Sequence, residues 1–255
     1  MKKPVTGCIV TYNNIRTIDN ALKSLYECTK APFRLFIVDN GSTDGTPEFI
    51  EKNYPQATVI RSGANVGFGA GHNSVMDMLD SEYHAIINPD ILIKDDIISQ
   101  MADYLESHED VGMLSPQIKF PDGRPQILGK RNPKLRYLVA SRLRSEDEPS
   151  KLLREYAMLD EDLSKPIQIE NATGCFMFVR TELFKKLGGF DKRYFMYFED
   201  CDLVREINRV SKVLLYPDAT VYHEWGRDSK RNNKLKIIHI KSMFSYFIKW
   251  NLFRR

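Results

Sequence analysis

The strongest constraint in this sequence is an alternation of two patterns. Short β-rich apolar runs, Val5 to Tyr12, Phe33 to Val38, Thr58 to Arg61, Tyr83 to Ile87 and Val111 to Leu114, take turns with segments of helical spacing. Between the first two runs Ile15, Ile18, Leu22 and Leu25 recur three or four residues apart, the period of a helix with one buried stripe. Helices are likewise expected over Thr46 to Tyr54, from the glycine-dense loop 63–73 through Leu79, and from Asp95 to His108. Such an alternation describes a sheet sandwiched by helices, because both apolar faces of the sheet must be covered. The 255 residues suit one domain of this kind, since single cores extend to about 250 residues. With Lys+Arg 37 against Asp+Glu 34, the chain lacks the basic excess of a nucleic-acid binder.

Beyond Leu114 the alternation stops. Residues 118–166 hold several prolines and the acidic run Glu146 to Glu148, and are expected to form a long, partly mobile insertion. A strand at Cys175 to Val179, a short helix from Thr181, a helix reached through Tyr194 to Asp202, and strands at Val213 to Tyr216 and Ala219 to His223 complete the expected domain, 1–229. The four cysteines form no CxxC pair, which argues against a zinc or disulfide framework and for a reducing compartment. No signal peptide is expected, and no window reaches the roughly 20 apolar residues of a membrane span. The tail 230–255 interleaves Leu235, Ile237, Ile240, Phe244, Phe247 and Trp250 with Lys234, Lys236, Lys241 and Lys249. It is expected to be a basic amphipathic helix, either resting on an anionic membrane surface or packed on the domain or on a second subunit, as in a homodimer.

In open α/β sheets ligands bind beyond the carboxyl ends of the strands, so the residues that end each run are the candidates. Asp39 and Asn40 end one strand, and Asn88-Pro89-Asp90 ends another. Carboxylates there can receive a base or ribose, or hold a hard cation; equally, Asp39 and Asp44 can build an Asx-turn and Asp90 can cap a helix. In the glycine loop His72 stands where the third glycine of G-x-G-x-x-G belongs, and no G-x-x-x-x-G-K-[ST] occurs; a dinucleotide oxidoreductase and a P-loop protein are both disfavoured. Glu199, Asp200 and Asp202 precede a helix, approached by Tyr194, Phe195, Tyr197 and Phe198. Acidic residues suit a helix start, but a partly desolvated carboxyl is also what a general base needs. His223 adds an imidazole at the end of the last strand.

In this order the pieces resemble glycosyltransferase family 2, inverting enzymes of the GT-A fold. The resemblance runs from Val5 to His223. It rests on Ile9-Val10-Thr11-Tyr12-Asn13, Val38-Asp39-Asn40-Gly41-Ser42-Thr43-Asp44-Gly45-Thr46, the loop from Asn65 to Asn73, Asn88-Pro89-Asp90, Thr173-Gly174-Cys175-Phe176-Met177, Gly189-Phe190-Asp191 and Phe198-Glu199-Asp200-Cys201-Asp202-Leu203. The N-x-G-F-G-x-G-x-N loop, N-P-D and F-x-E-D-x-D-L are similar to the bacterial rhamnosyltransferase-like branch.

The resemblance implies a single Rossmann-like mixed sheet with helices on both faces. It also implies a donor nucleotide held by Thr11, Tyr12, Asn13, Asp39, Asn40, Gly41, Asp44, Asn65, Gly67, Phe68, Gly69, Gly71, Asn73 and Asn88. Asp90 would be the metal-holding acid of a D-x-D motif whose first acid is here Asn88, and His223 would complete a site for Mg²⁺ or Mn²⁺. Asp200 would be the catalytic base, with Glu199 orienting the acceptor. The implied reaction moves L-rhamnose from dTDP-β-L-rhamnose to a glycan or polyprenyl-diphosphate-linked acceptor in bacterial envelope polysaccharide synthesis, in the cytoplasm or at the inner face of the membrane. A UDP-hexose or UDP-N-acetylhexosamine donor is the nearest alternative. A nucleotidyltransferase would want a basic, glycine-rich loop after the first strand, which is missing, and a non-catalytic carbohydrate-binding module would not need the acids and His223.

Overall fold

A computed structural model describes residues 3–142, 149–224 and 233–251. The acidic run Glu146 to Glu148, the segment 225–232 and the last residues of the tail lie outside the described residues.

The first half follows the alternation closely. β1 (Val5–Thr11), α1 (Ile18–Cys28), β2 (Phe33–Asp39), α2 (Thr46–Asn53), β3 (Thr58–Arg61), α3 (Phe68–Asn73), β4 (Tyr83–Ile87), β5 (Ile91–Leu92), α4 (Ile97–Ser107) and β6 (Val111–Lys119) come in that order. They are followed by α5 (Leu135–Arg142), α6 (Lys151–Ala157), β7 (Ile167–Gln168), β8 (Phe176–Arg180), α7 (Thr181–Lys186), α8 (Glu199–Ile207), β9 (Lys212–His223) and α9 (Asn233–Lys249). One mixed sheet runs β3-β2-β1-β4-β8-β6-β9-β5, with β7 paired to β9. β1, β2, β3 and β4 are parallel to their neighbours, and β8 enters antiparallel between β4 and β6. Side chains alternate across the sheet: Ile9, Ile37 and Ile87 pack with α1 and α4 on one face, while Cys8, Val10, Ile86 and Met177 pack with α7 and α8 on the other.

Four departures from the sequence expectation have local causes. The helix opened by the glycine loop stops at Asn73 rather than at Leu79, where the Asn73 side chain turns to Phe190 and the Ser74 hydroxyl donates to the carbonyl of Gly71. The two closing strands are one: β6 pairs Pro116 with Tyr216 but Gln117 with Thr220, so Pro217 to Ala219 form a bulge inside β9 instead of a break. β5, two residues long, is too short to leave a pattern. The segment 118–166, expected as an irregular insertion, carries α5 and α6 and its own small core of Tyr137, Leu153 and Tyr156, with the Tyr137 and Tyr156 rings stacked 5.0 Å apart.

The tail forms α9, which buries Ser242, Tyr246 and Phe247 against Tyr194 and Phe198 and leaves Ile237, Ile240, Phe244 and Ile248 exposed. No helix among the described residues is long and apolar enough to cross a membrane. A cluster of opposite charges fastens α9. The ammonium of Lys249 lies 3.0 Å from Asp191, 2.7 Å from Asp202 and 3.1 Å from Glu206, and the Trp250 indole donates to Asp202 at 2.8 Å.

Without that ammonium Asp191 and Glu206 keep Arg193 and Arg209, both at 2.9 Å, but the buried Asp202 carboxylate loses its cation, and removing one partner of a buried ion pair costs far more than the pairing gains. Lys249→Met is therefore expected to lower the unfolding free energy by about 3 kcal/mol in urea titrations. Lys241→Met, on the exposed side of α9, should change it by less than about 0.5 kcal/mol.

Candidate active site

The ends of β1, β2 and β4 meet on one edge of the sheet, and the loops leaving them are tied together by side-chain hydrogen bonds. Thr11 donates to Asp39 at 3.2 Å, and the other Asp39 oxygen accepts from the backbone N–H groups of Gly41 and Ser42 at 3.1 and 3.0 Å. Asp39, 3% exposed, thus builds the Asx-turn that sequence allowed. Asn13, with φ 58°, accepts from Thr43 N–H and donates its own N–H to Ser42, both at 2.8 Å. Asp44 accepts from Ile15 and Thr46. Asn40 donates to the carbonyl of Gly67 at 3.0 Å, and Asn65 accepts from the Gly67 N–H at 3.0 Å. Tyr12 stands exposed at the rim.

The glycines of the loop serve close packing. A Cβ on Gly67, whose φ is +92°, would lie 2.2 Å from the Phe195 carbonyl; one on Gly69 would meet the Phe190 side chain at 2.7 Å, and one on Gly71 would meet Val10 at 2.8 Å. Gly69 and Gly71 are buried; Gly71 lets α3 lie directly on β1, and Gly69 lets it lie against Phe190. Asn73 clamps Phe190 through both backbone groups, at 2.7 and 2.9 Å. Phe68 N–H donates to the Phe195 carbonyl at 3.0 Å, which joins this loop to the segment carrying the acidic cluster.

That segment bends sharply. Tyr197 and Phe198 both adopt left-handed φ values, 69° and 66°, a costly conformation for aromatic residues. The bend starts α8 at Glu199 and puts Asp200 one residue into it. One Asp200 oxygen accepts from Gly174 N–H at 2.9 Å and the other from Cys201 N–H at 2.8 Å. A Cβ on Gly174 would approach the Asp200 Cβ to 3.2 Å, so the glycine makes room for the carboxylate it holds. Burial pushes the Asp200 carboxyl above its ordinary value, and the two N–H donors partly oppose the shift. Glu199 is pushed well above its ordinary value of 4.5 by burial and by the charge of Asp200, and its Oε2 has no hydrogen-bond partner among the described residues.

β5 explains a second pair. Ile91 lies opposite His223 in the antiparallel ladder with β9, so Asp90, one residue earlier, meets His223 at 3.3 Å. Burial alone would lower His223; the hydrogen bond to Asp90 and the adjacent Cys175 outweigh it and raise the imidazole to about 10. The remaining Asp90 oxygen, Oδ1, is buried without a partner among the described residues. An orphaned carboxylate oxygen beside an imidazole fits a divalent cation such as Mg²⁺ or Mn²⁺. Among the described residues no group of three His, Cys, Asp or Glu could hold a metal, so most of the coordination would come from phosphate oxygens and water. Asn88 lends its backbone N–H to Cys175 at 2.8 Å.

Asp200 and His223 line one cleft of about 600 Å³, together with Tyr156, Tyr197, Asn171 and Gln126. Its outer wall comes from the segment around α5 and α6 and from Lys236 and His239 of α9. Gly174, Gln126, Asn171 and Tyr156 were not singled out as site residues from sequence. Gly174 lay within a quoted motif, but the others reach the cleft through long-range packing that no local pattern announces.

The sequence matches the model of glycosyl transferase family 2 over residues 7–188. It is 28% identical over 239 residues to an N-acetylglucosaminyl-diphospho-decaprenol L-rhamnosyltransferase of Mycobacterium tuberculosis, covering 88% of this chain and 76% of that protein. It is 26% identical over 197 residues to rhamnosyltransferase WbbL of Escherichia coli K12, covering 72% and 71%. Among solved structures the fold is similar to that of a mannosyltransferase from Pyrobaculum calidifontis in complex with GDP-Man and Mn²⁺, with TM-score 0.67 and 19% identity over 98% of this chain and 65% of that one.

The two buried carboxyls bind protons more tightly in the folded than in the unfolded chain, so their neutral forms favour folding. That contribution is complete below the ordinary carboxyl range and is lost as pH rises through the raised folded values. Glu199→Gln, neutral at every pH, is expected to be more stable than the parent by about 1–2 kcal/mol at pH 7. The gain should vanish in urea titrations repeated near pH 4, and an equal gain at both pH values would contradict the assignment.

Proposed function

The chain belongs to glycosyltransferase family 2, and from that premise we propose that it is an inverting transferase that places L-rhamnose, from dTDP-β-L-rhamnose, on a hydroxyl of a lipid-linked glycan in envelope polysaccharide synthesis. The observation that carries the reading is the placement of Asp200: half-buried, held by two N–H donors, raised in pKa, and open to the cleft that His223 also lines. In this reading the catalytic unit is 1–229, and the tail 230–255 adds α9, whose Lys236 and His239 line one side of the cleft.

Asp200 accepts the proton of the acceptor hydroxyl as that oxygen bonds to the anomeric carbon and the nucleoside diphosphate leaves from the opposite face. One displacement inverts the configuration. A positioned base contributes about 10²–10⁴ in rate, and burial raises the Asp200 carboxyl, which strengthens it as a base. Glu199, held neutral over more of the pH range by burial and by the charge of Asp200, orients the acceptor. The interlocked loops at Thr11, Asp39, Asn40 and Asn65 form the donor side, where buried Asp39 shapes the turn whose backbone meets the nucleotide. Asp90 and His223 would hold a divalent cation, which when bound neutralises charge on the departing diphosphate. The rhamnosyl donor is supported by the names of both relatives, and the lipid-linked acceptor by that of the mycobacterial one.

Donor binding and hydrolysis should be measured across dTDP-rhamnose, UDP-glucose, UDP-galactose, UDP-N-acetylglucosamine and GDP-mannose, with and without Mn²⁺. The expected result is a preference for dTDP-rhamnose and a gain with the cation. Asp200→Asn should lower transfer by about 10²–10⁴ with donor affinity kept. Preference for a UDP-sugar would overturn the rhamnosyl donor, and no binding of any donor would overturn the transferase reading.

A further inference from the structure

A second cavity of about 470 Å³ adjoins the catalytic cleft and shares with it the wall Gln126 to Gly129 and the residues Asn171 and Thr173. Its composition is unusual. Leucine and isoleucine side chains, Ile118, Leu128, Leu159, Leu163 and Leu215 among them, dominate the lining, and two lysines, Lys119 and Lys130, stand with them. No aspartate or glutamate lines it. Lys130 is half-buried, and burial alone lowers its amine to about 8, so no neighbouring carboxylate compensates its charge. A desolvated ammonium without a counter-charge is unfavourable unless an anion completes it.

The shared wall carries a second demand. Gln126 and Asn171 are 6% and 5% exposed, and each spends its amide on a backbone carbonyl: Gln126 donates to His223 at 2.7 Å, and Asn171 to Gly129 at 2.9 Å. Their oxygens, Oε1 and Oδ1, are left without partners among the described residues. Buried carbonyl oxygens of this kind call for hydroxyl or N–H donors. Together the two cavities thus offer a base, two unpartnered amide oxygens on the shared wall, and an apolar chamber whose lining includes two lysines.

We propose that this second cavity is the lipid subsite of the acceptor: it takes the first isoprene units of an isoprenyl diphosphate, with Lys130 and Lys119 on the diphosphate and the sugar lying along Gln126 and Asn171 toward Asp200. The inference rests on the transferase reading and adds to it where the acceptor's anionic linker and apolar tail are recognised. Lys130 is a binding residue in this scheme, and the chamber sets how much of the tail is enclosed.

Calorimetric titration of the full chain with farnesyl diphosphate tests the subsite without turnover, beside inorganic diphosphate, farnesol and lysophosphatidic acid. Farnesyl diphosphate is expected to bind at least about tenfold more tightly than inorganic diphosphate or farnesol, because charge and tail are both used. Lys130→Met and the space-filling Leu163→Trp are each expected to weaken it about tenfold, with thermal melting reporting that each variant is folded. Equal binding of farnesyl diphosphate and inorganic diphosphate, tighter binding of lysophosphatidic acid, or unchanged affinity in both folded variants would overturn the proposal. Nucleotide-sugar binding by the unaltered chain, measured in parallel, separates the two readings. If it is present while farnesyl diphosphate fails to bind, the subsite alone is wrong; if it is absent while farnesyl diphosphate binds, the transferase reading is wrong and the lipid pocket stands.

Discussion

The bend at Tyr197 and Phe198 is the constraint on which the site depends. Two adjacent aromatic residues in left-handed conformations together cost of order 2–6 kcal/mol, so the surroundings must over-determine them. They do. Phe195 is pinned by the glycine loop through its carbonyl, the Met196 carbonyl accepts from Ser242 of α9 at 2.8 Å, and His239 of the same helix packs on the rings of Tyr197 and Phe198. The result is a helix that begins on two carboxyls, one buried with an unpaired oxygen and one delivered to the cleft.

α9 is therefore more than an appendage. Its Lys249 and Trp250 converge on Asp202, two residues beyond Asp200, while its Lys236 and His239 line the cleft. The same helix thus braces α8 from behind and bounds the space in front of it. The segment around α5 and α6 does the corresponding work on the other side, so the part of the chain that departs from a plain alternating sheet is the part that encloses the cleft. Donor-side loops, by contrast, are held within the sheet edge by short-range hydrogen bonds.

This division accounts for what could be read from sequence. The strands β1 to β4 and the helices between them were legible because each carries its full apolar period and ends in turn-forming residues. Asp90 and His223 were expected together as metal-holding residues by the resemblance alone, and their contact could not be read from the sequence, since it depends on β5, whose two residues leave no pattern. Gly69 and Gly71 were expected on the donor side, and the packing that requires a glycine at each, against Phe190 and Val10, could not be read from the loop itself. α5 and α6 were missed because they are short, and α5 buries Tyr137 alone while α6 buries Leu153, Tyr156 and Ala157, less than the two turns of apolar period that mark a helix. The unpaired oxygens of Gln126 and Asn171 and the uncompensated Lys130 have no sequence signature at all; they become visible only when distant segments are brought together.

In the proposed reaction a single carboxylate, Asp200, drives one displacement at the anomeric carbon. Its most direct test is the anomeric configuration of the product relative to the donor, read by NMR on the freshly formed glycoside. Inversion is expected; a product of retained configuration would contradict a single displacement, because one back-side attack at the anomeric carbon inverts it, whereas retention needs a second displacement or front-face attack.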